Sequence, residues 1–111
     1  MFLIIDAVTC LKQDDYTGKD DIFLLVNNGF PRTIEVGELV NHQTKKISRE
    51  VTLTENSQHS IEIWERDELS ANDLIGTIFL ADFTPNMEQQ AVVENGDVSY
   101  KLWFTIVTES Q

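Results

Sequence analysis

The chain has 111 residues, of which 41% are apolar, and its 8 basic and 19 acidic side chains give a net charge of −11. This length and apolar content predict one compact domain over residues 1–111, without repeats or low-complexity segments. The negative charge opposes binding to nucleic acid and, unless cations are bound, to anionic membranes. We therefore expect no nucleic-acid partner.

Short runs of β-branched and aromatic residues, separated by turn residues, follow one another along the chain. Asn-Gly turns at 27–29 and 95–97, with prolines only outside the runs, favour hairpins. No long helical period competes with the runs, so the fold class predicted is all-β, an antiparallel β-sandwich. The strands are predicted at residues 2–11, 22–26, 33–36, 47–53, 61–64, 74–80 and 100–107.

Two further segments carry structural expectations. The apolar start is interrupted by Asp6 and lacks a basic region and a cleavage site, so it predicts a strand and not a signal peptide. Residues 84–94 favour helix through Met87 and its neighbours, which predicts one helical turn or an irregular crossing. Cys10, the single cysteine, excludes an intrachain disulfide and predicts a buried, inert thiol.

Two acidic clusters adjoin predicted strands, and together they point to a metal site. Crowded carboxylates repel one another, and a hard, oxygen-preferring ion such as Ca²⁺ relieves that repulsion. The candidate ligands are Asp15, Asp21, Glu65, Asp67 and Asp73.

The alternative is that both clusters are polar turns. Asp15 and Asp67 would then cap local backbone, and Gly18 and Gly76 would relieve strained φ angles. The neighbouring side chains are expected to be solvated acids that raise the local field; they are Asp14, Asp20 and Glu68.

The order of these features resembles a known family. An apolar strand leads to Asp15, Gly18 and Asp21, and a second strand follows directly. Later, a strand at 61–64 leads to an acid-x-acid pair and an Asp-x-x-Gly exit. This pattern resembles the C2 domain, the calcium- and phospholipid-binding β-sandwich of protein kinase C and synaptotagmin, here as a compact, bacterial-like member. Two departures are Ile22-Phe23 in place of the family's Pro-Tyr, and Glu65 in place of the commoner Asp.

The resemblance implies a single Greek-key sandwich of about eight strands over residues 1–111. It also implies one or two Ca²⁺ ions, with Asp21 and Asp67 bridging them and Asp15, Glu65 and Asp73 flanking them. Main-chain carbonyls near Asp14 and Arg66 and an oxygen of Ser70 would complete the coordination shells. The longer side chain of Glu65 and the positive charge of Arg66 beside it weigh against Glu65 as a ligand.

Loop tips and one basic segment are the candidate contacts with a partner. Tyr16 and Leu69 would lie at the tips, where apolar side chains can enter a bilayer or fold back onto the sandwich. Lys45, Lys46 and Arg49 fall where the family carries a surface for lipid headgroups. Alternatively, these cations keep a strand edge soluble and guard it.

The leading hypothesis is a Ca²⁺-binding C2-like module whose acidic loops couple calcium to docking on an anionic phospholipid membrane or a protein partner. It implies a cytoplasmic protein that associates peripherally with membranes when calcium binds. The first alternative is a metal-independent interaction module that uses strand edges or the face around Lys45, Lys46 and Trp103. A metal-dependent hydrolase is the third, and it lacks support because His42 and His59 have no ligand spacing. We expect no enzyme activity and no small-molecule substrate.

Overall fold

A computed structural model of the chain describes residues 1–13, 20–54, 58–67 and 71–108. These residues form eight strands and one short 3₁₀ helix, which confirms the predicted all-β fold. The predicted site residues Asp14, Asp15, Tyr16, Leu69 and Ser70 lie outside the described residues. In chain order the elements are β1 Phe2–Lys12, β2 Asp20–Asn27, β3 Arg32–Leu39, β4 Thr44–Thr52, β5 Ser60–Glu65, β6 Asp73–Phe79, the 3₁₀ helix Leu80–Asp82, β7 Glu88–Asn95 and β8 Val98–Val107.

The strands form two four-stranded antiparallel sheets packed as a sandwich. One sheet has the order β4-β1-β8-β7 and the other β3-β2-β5-β6. Every second side chain along these strands points into the space between the two sheets. Leu102, Phe104 and Ile106 of β8 are buried there, as are Ile61 and Ile63 of β5. The core of the sandwich therefore consists of the apolar side chains on the inner faces of the two sheets.

The prediction for residues 84–94 was wrong. This part of the chain contains strand β7, which pairs with β8, and the 3₁₀ helix lies earlier, at Leu80–Asp82. Ala91 and Val93 alternate into the core, and the ladder to β8 satisfies the backbone. Burial and pairing outweigh the helix propensity of the segment, because strand formation depends strongly on tertiary context.

The antiparallel arrangement gives the sandwich two ends of different chemistry. The acidic end, as we call it, holds the β1–β2, β3–β4, β5–β6 and β7–β8 connections. The apolar end holds Met1 and the β2–β3, β4–β5 and β6–β7 connections. Among the described residues there is no helix whose length and apolar character would let it cross a membrane.

Candidate functional site at the acidic end

Strand register brings several carboxyl groups to the acidic end. Glu65, the last residue of β5, pairs with Asp73, the first residue of β6. On its other side Glu65 pairs with Ile22, next to the two aspartates that begin β2. Acids that are distant in sequence therefore meet at neighbouring strand ends of one sheet.

The closeness of these acids changes the ionisation of Glu65. A hydrogen bond to Asp20, partial burial and the charges of Asp20, Asp73 and Asp67 raise the pKa of Glu65 to about 8. A protonated Glu65 donates to Asp20, whereas an ionised Glu65 faces three like charges. Even so, within the described ranges no group of three or more His, Cys, Asp or Glu side chains could by itself hold a metal ion.

Asp20 is not the solvated acid that the sequence predicted. It is 3% exposed, because alternation along β2 places it on the interior face with Ile22 and Leu24. The Tyr100 hydroxyl donates to its Oδ2 atom at 2.6 Å. Burial, and then the Asp20 carboxylate, raise the pKa of Tyr100. Asp20, Glu65 and Tyr100 therefore form a polar network beneath the acidic end that sequence reasoning missed.

Cys10 lies next to this network. Its thiol is free and buried, and Sγ is 3.9 Å from Oε1 of Gln13. Burial is the main factor that raises the pKa of the Cys10 thiol. A buried thiol that resists ionisation is a poor nucleophile, in agreement with the predicted inert role.

Asp21 lies on the other face of its sheet and contacts Arg66. The Arg66 amide donates to the Asp21 carbonyl at 2.8 Å, and its guanidinium is 3.9 Å from Oδ2 of Asp21. Arg66 also bonds both carboxylate oxygens of Glu35, at 2.5 and 2.9 Å, and lies over the Phe23 ring. These bonds lower the pKa of Glu35. Arg66 thus places a positive charge beside the candidate ligand Asp21.

Asp67 lies in the β5–β6 connection, whereas Asp73 and Gly76 belong to β6. The Asp67 amide donates to Oδ1 of Asn72 at 2.9 Å, so a hydrogen bond joins the two described ends of this connection. Gly76 in β6 does not have the strained φ angle considered from the sequence. Instead, a Cβ atom there would lie 2.5 Å from Cβ of Val93, so Gly76 permits close packing of β6 on β7.

The predicted basic segment lies on β4, an edge strand of its sheet. Lys46 and Arg49 are exposed, whereas Lys45 is partly buried. The Lys45 ammonium donates to the carbonyls of Val36 and Glu38 at 3.0 and 3.5 Å, across Gly37 of β3. Lys45 therefore connects the two sheets, while Lys46 and Arg49 are the members of the segment whose side chains extend into solvent.

Comparison with known proteins identifies the type of fold. No protein-family model and no curated protein matches the chain. Solved structures do match: a C2 domain at TM-score 0.57 and 17% identity, covering 96% of this chain and 97% of that one, and a C2 domain of a plant extended synaptotagmin 1 at TM-score 0.56 and 8% identity, covering 99% and 95%. The chain folds as a C2-like domain.

A third similar structure belongs to a larger protein. It is human GIVD cytosolic phospholipase A2 in complex with a methyl gamma-linolenyl fluorophosphonate inhibitor and terbium chloride, at TM-score 0.55 and 8% identity. The match covers 98% of this chain but only 17% of the phospholipase chain. At these identities the similarities concern the fold alone.

Proposed function

We propose that residues 1–111 act as a single C2-like interaction module that binds Ca²⁺ at the acidic end and thereby docks on a phospholipid membrane or a protein partner. The observation that supports this most directly is the strand register, which pairs Glu65 with Asp73 and places it next to the two aspartates that begin β2. The hydrogen bond to Asp20, partial burial and the neighbouring charges accordingly raise the pKa of Glu65. Carboxyl groups this close to one another are stabilised by a divalent cation. Docking as a peripheral membrane protein of the cytoplasm is part of the same proposal.

The donor chemistry of the candidate ligands fits a hard cation, because the side chains of these acids offer oxygen atoms. One or two Ca²⁺ ions would supply positive charge and open coordination positions for phosphate or carboxylate oxygens of a partner. Glu65 would first release its proton, and Asp21 would exchange its contact with Arg66. The residues proposed to hold the ions are Asp15, Asp21, Glu65, Asp67, Asp73 and Ser70, with carbonyls near Asp14 and Arg66.

The charge balance limits how calcium can promote docking. Two Ca²⁺ ions would change the net charge only from −11 to −7. The whole molecule would still repel an anionic surface, so attraction must come from the local field at the acidic end and from Lys46 and Arg49. Tyr16 and Leu69 are the apolar side chains proposed to enter the surface.

Vesicle co-sedimentation tests the docking proposal. We expect the protein to pellet with phosphatidylserine-containing vesicles in Ca²⁺, but not in EGTA or Mg²⁺, because only bound calcium reverses the local charge. Asp67→Asn should abolish pelleting, and Lys46→Gln with Arg49→Gln should weaken it several-fold through lost headgroup attraction. Asp97→Asn, an exposed acid at the same end, is the matched control. Equal pelleting in EGTA and Ca²⁺ would contradict calcium coupling.

A second candidate function is metal-independent docking. It is favoured by the side chains around Trp103, which lies on the face of β8 that points away from the core. Trp103 then offers a recognition surface on β8, where its indole donates to Thr9 and Lys101 lies 5.3 Å from the ring centroid. In this case Trp103→Ala would abolish partner binding and chelation would leave it unchanged.

A further inference from the structure

Arg66 lies between two candidate ligands in the sequence and beside a third in space. Its neighbours in the chain are Glu65, the last residue of β5, and Asp67. Its guanidinium is 3.9 Å from Oδ2 of Asp21, near the start of β2. A guanidinium stays positively charged throughout the physiological pH range. The acidic end therefore has a permanent cation of its own beside the proposed calcium ligands.

A row of side chains across the sheet fixes the position of this cation. Glu35 of β3, Phe23 of β2 and Trp64 of β5 are opposite one another in the strand register. The Phe23 and Trp64 rings stack, with centroids 6.2 Å apart and planes inclined by 7°. The Arg66 guanidinium lies over the Phe23 ring, 4.7 Å from its centroid, where the negative face of the ring attracts it. The stacked rings therefore support the charged group.

Glu35 holds the guanidinium more closely than Asp21 does. Both oxygens of the Glu35 carboxylate accept hydrogen bonds from Arg66, at 2.5 and 2.9 Å. Two parallel bonds of this kind make a strong and directional ion pair. The contact with Oδ2 of Asp21, at 3.9 Å, is longer than a hydrogen bond. Glu35, which is not a candidate ligand, thus keeps Arg66 from bonding Asp21 directly while leaving its charge nearby.

Arg66 and a divalent cation would compete for the Asp21 carboxylate. A positive charge a few ångströms from that carboxylate disfavours a second positive charge at the same place. The effect is reciprocal: the factor by which Arg66 weakens binding of the ion equals the factor by which the ion weakens the contact of Arg66 with Asp21. Because Arg66 is also bonded to Glu35, it can give up Asp21 without losing its other partner.

We infer that Arg66 is an internal cation that competes with Ca²⁺ for Asp21 and so lowers the calcium affinity of the acidic end, and that Glu35 limits this competition by holding Arg66. The inference rests on the proposed function, because it concerns the regulation of the same site. Without calcium, Arg66 offsets the repulsion between Asp21 and Glu35 and stabilises the fold. A cation that only supported the fold would not oppose calcium binding.

Variants that remove one charge separate competition from support. Arg66→Gln removes the guanidinium but keeps the hydrogen bond from the main-chain amide of this residue to the Asp21 carbonyl. Glu35→Gln keeps the guanidinium but frees it to bond Asp21 directly. The matched controls remove one charge of each sign from exposed residues at the apolar end; they are Arg32→Gln and Glu88→Gln.

Calorimetric titration with CaCl₂ measures the Kd of each variant, and thermal unfolding in EGTA measures its stability without calcium. We expect Arg66→Gln to lower the melting temperature in EGTA and yet to bind Ca²⁺ about threefold or more tighter than wild type. Glu35→Gln should bind Ca²⁺ about threefold or more weaker. This effect should largely disappear in the double variant, because no guanidinium is left to release. Each control should change the Kd by about twofold at most, since its charge is remote and screened.

The outcomes distinguish the inference from the proposed function. Calcium binding by wild type, with equal or weaker binding by Arg66→Gln, would overturn the competition and leave the calcium site in place. An undiminished effect of Glu35→Gln in the double variant would overturn the role of Glu35. Calcium binding by Arg66→Gln alone would support the competition and contradict calcium-dependent docking by the natural chain. No binding by either protein up to about 10 mM Ca²⁺ would overturn both proposals.

Discussion

Replacing Glu65 by Gln is expected to raise the melting temperature at pH 8.5 by about 5 °C or more and to change it little at pH 5. At the higher pH the wild-type carboxylate is ionised beside Asp20, Asp73 and Asp67. The hydrogen bond to Asp20, partial burial and these charges raise its pKa to about 8. The side-chain amide of the substituted glutamine keeps a donor for Asp20 and never ionises. The gain in stability therefore grows as the pH rises.

The direction of this pH dependence follows from the number of protons bound in the folded and the unfolded state. Between the ordinary pKa of 4.5 and the folded value of about 8, the folded protein holds a proton on Glu65 that the unfolded chain has lost. The free energy of unfolding must therefore fall as the pH rises through this window. Thermal unfolding in EGTA from pH 5 to pH 9 measures this loss of stability. Glu94→Gln, which replaces an exposed acid on β7, is the control. Parallel curves for wild type and Glu65→Gln would contradict the account.

Gly76→Ala is expected to lower the free energy of unfolding by about 2 kcal/mol or more, through overpacking. The added Cβ atom would lie 2.5 Å from Cβ and 2.9 Å from Cγ1 of Val93, so β6 and β7 would have to separate. Urea unfolding of the single variant measures the cost.

The double variant Gly76→Ala with Val93→Ala identifies the cause. Removing the Val93 methyl groups creates space for the new Cβ, so the double variant should be less destabilised than the sum of the two single changes. Gly96→Ala is the control, because it has open space but a φ of 61°. Val93→Ala should not change the loss of stability caused by Gly96→Ala. Strict additivity of Gly76→Ala and Val93→Ala would sink the steric explanation.

Much of the two sheets was predictable from the sequence because short runs of β-branched and aromatic residues mark the strands, with the clearest alternation at Leu102, Phe104 and Ile106. The same alternation contained a signal for buried Asp20: continued backwards from Ile22, Leu24 and Val26, it places Asp20 on the interior face. Strand β7 was missed because its pairing with β8, and not its local propensity, makes it a strand.

The contacts at the site depend on long-range register, which local patterns do not reveal. Arg66 bonds Glu35, and Tyr100 bonds Asp20, across separations of 31 and 80 residues. Motif spacing could identify Asp21 as a candidate ligand, but it could not show that Arg66 would lie against it. Nor could it show that Asp20, one residue earlier, would contact Glu65.

Thermal unfolding across a Ca²⁺ titration tests calcium binding at the acidic end most directly. An ion that binds only the folded state stabilises it by RT ln(1 + [L]/Kd), where [L] is the free ion concentration. We expect a saturable rise in melting temperature with Ca²⁺ but not with Mg²⁺, lost in Asp67→Asn and retained in Asp97→Asn. No shift up to about 10 mM Ca²⁺, beyond the weakest common affinities of about 1 mM, would contradict the calcium site. An equal rise in the melting temperature of Asp67→Asn would contradict the assignment of the calcium site to the acidic end.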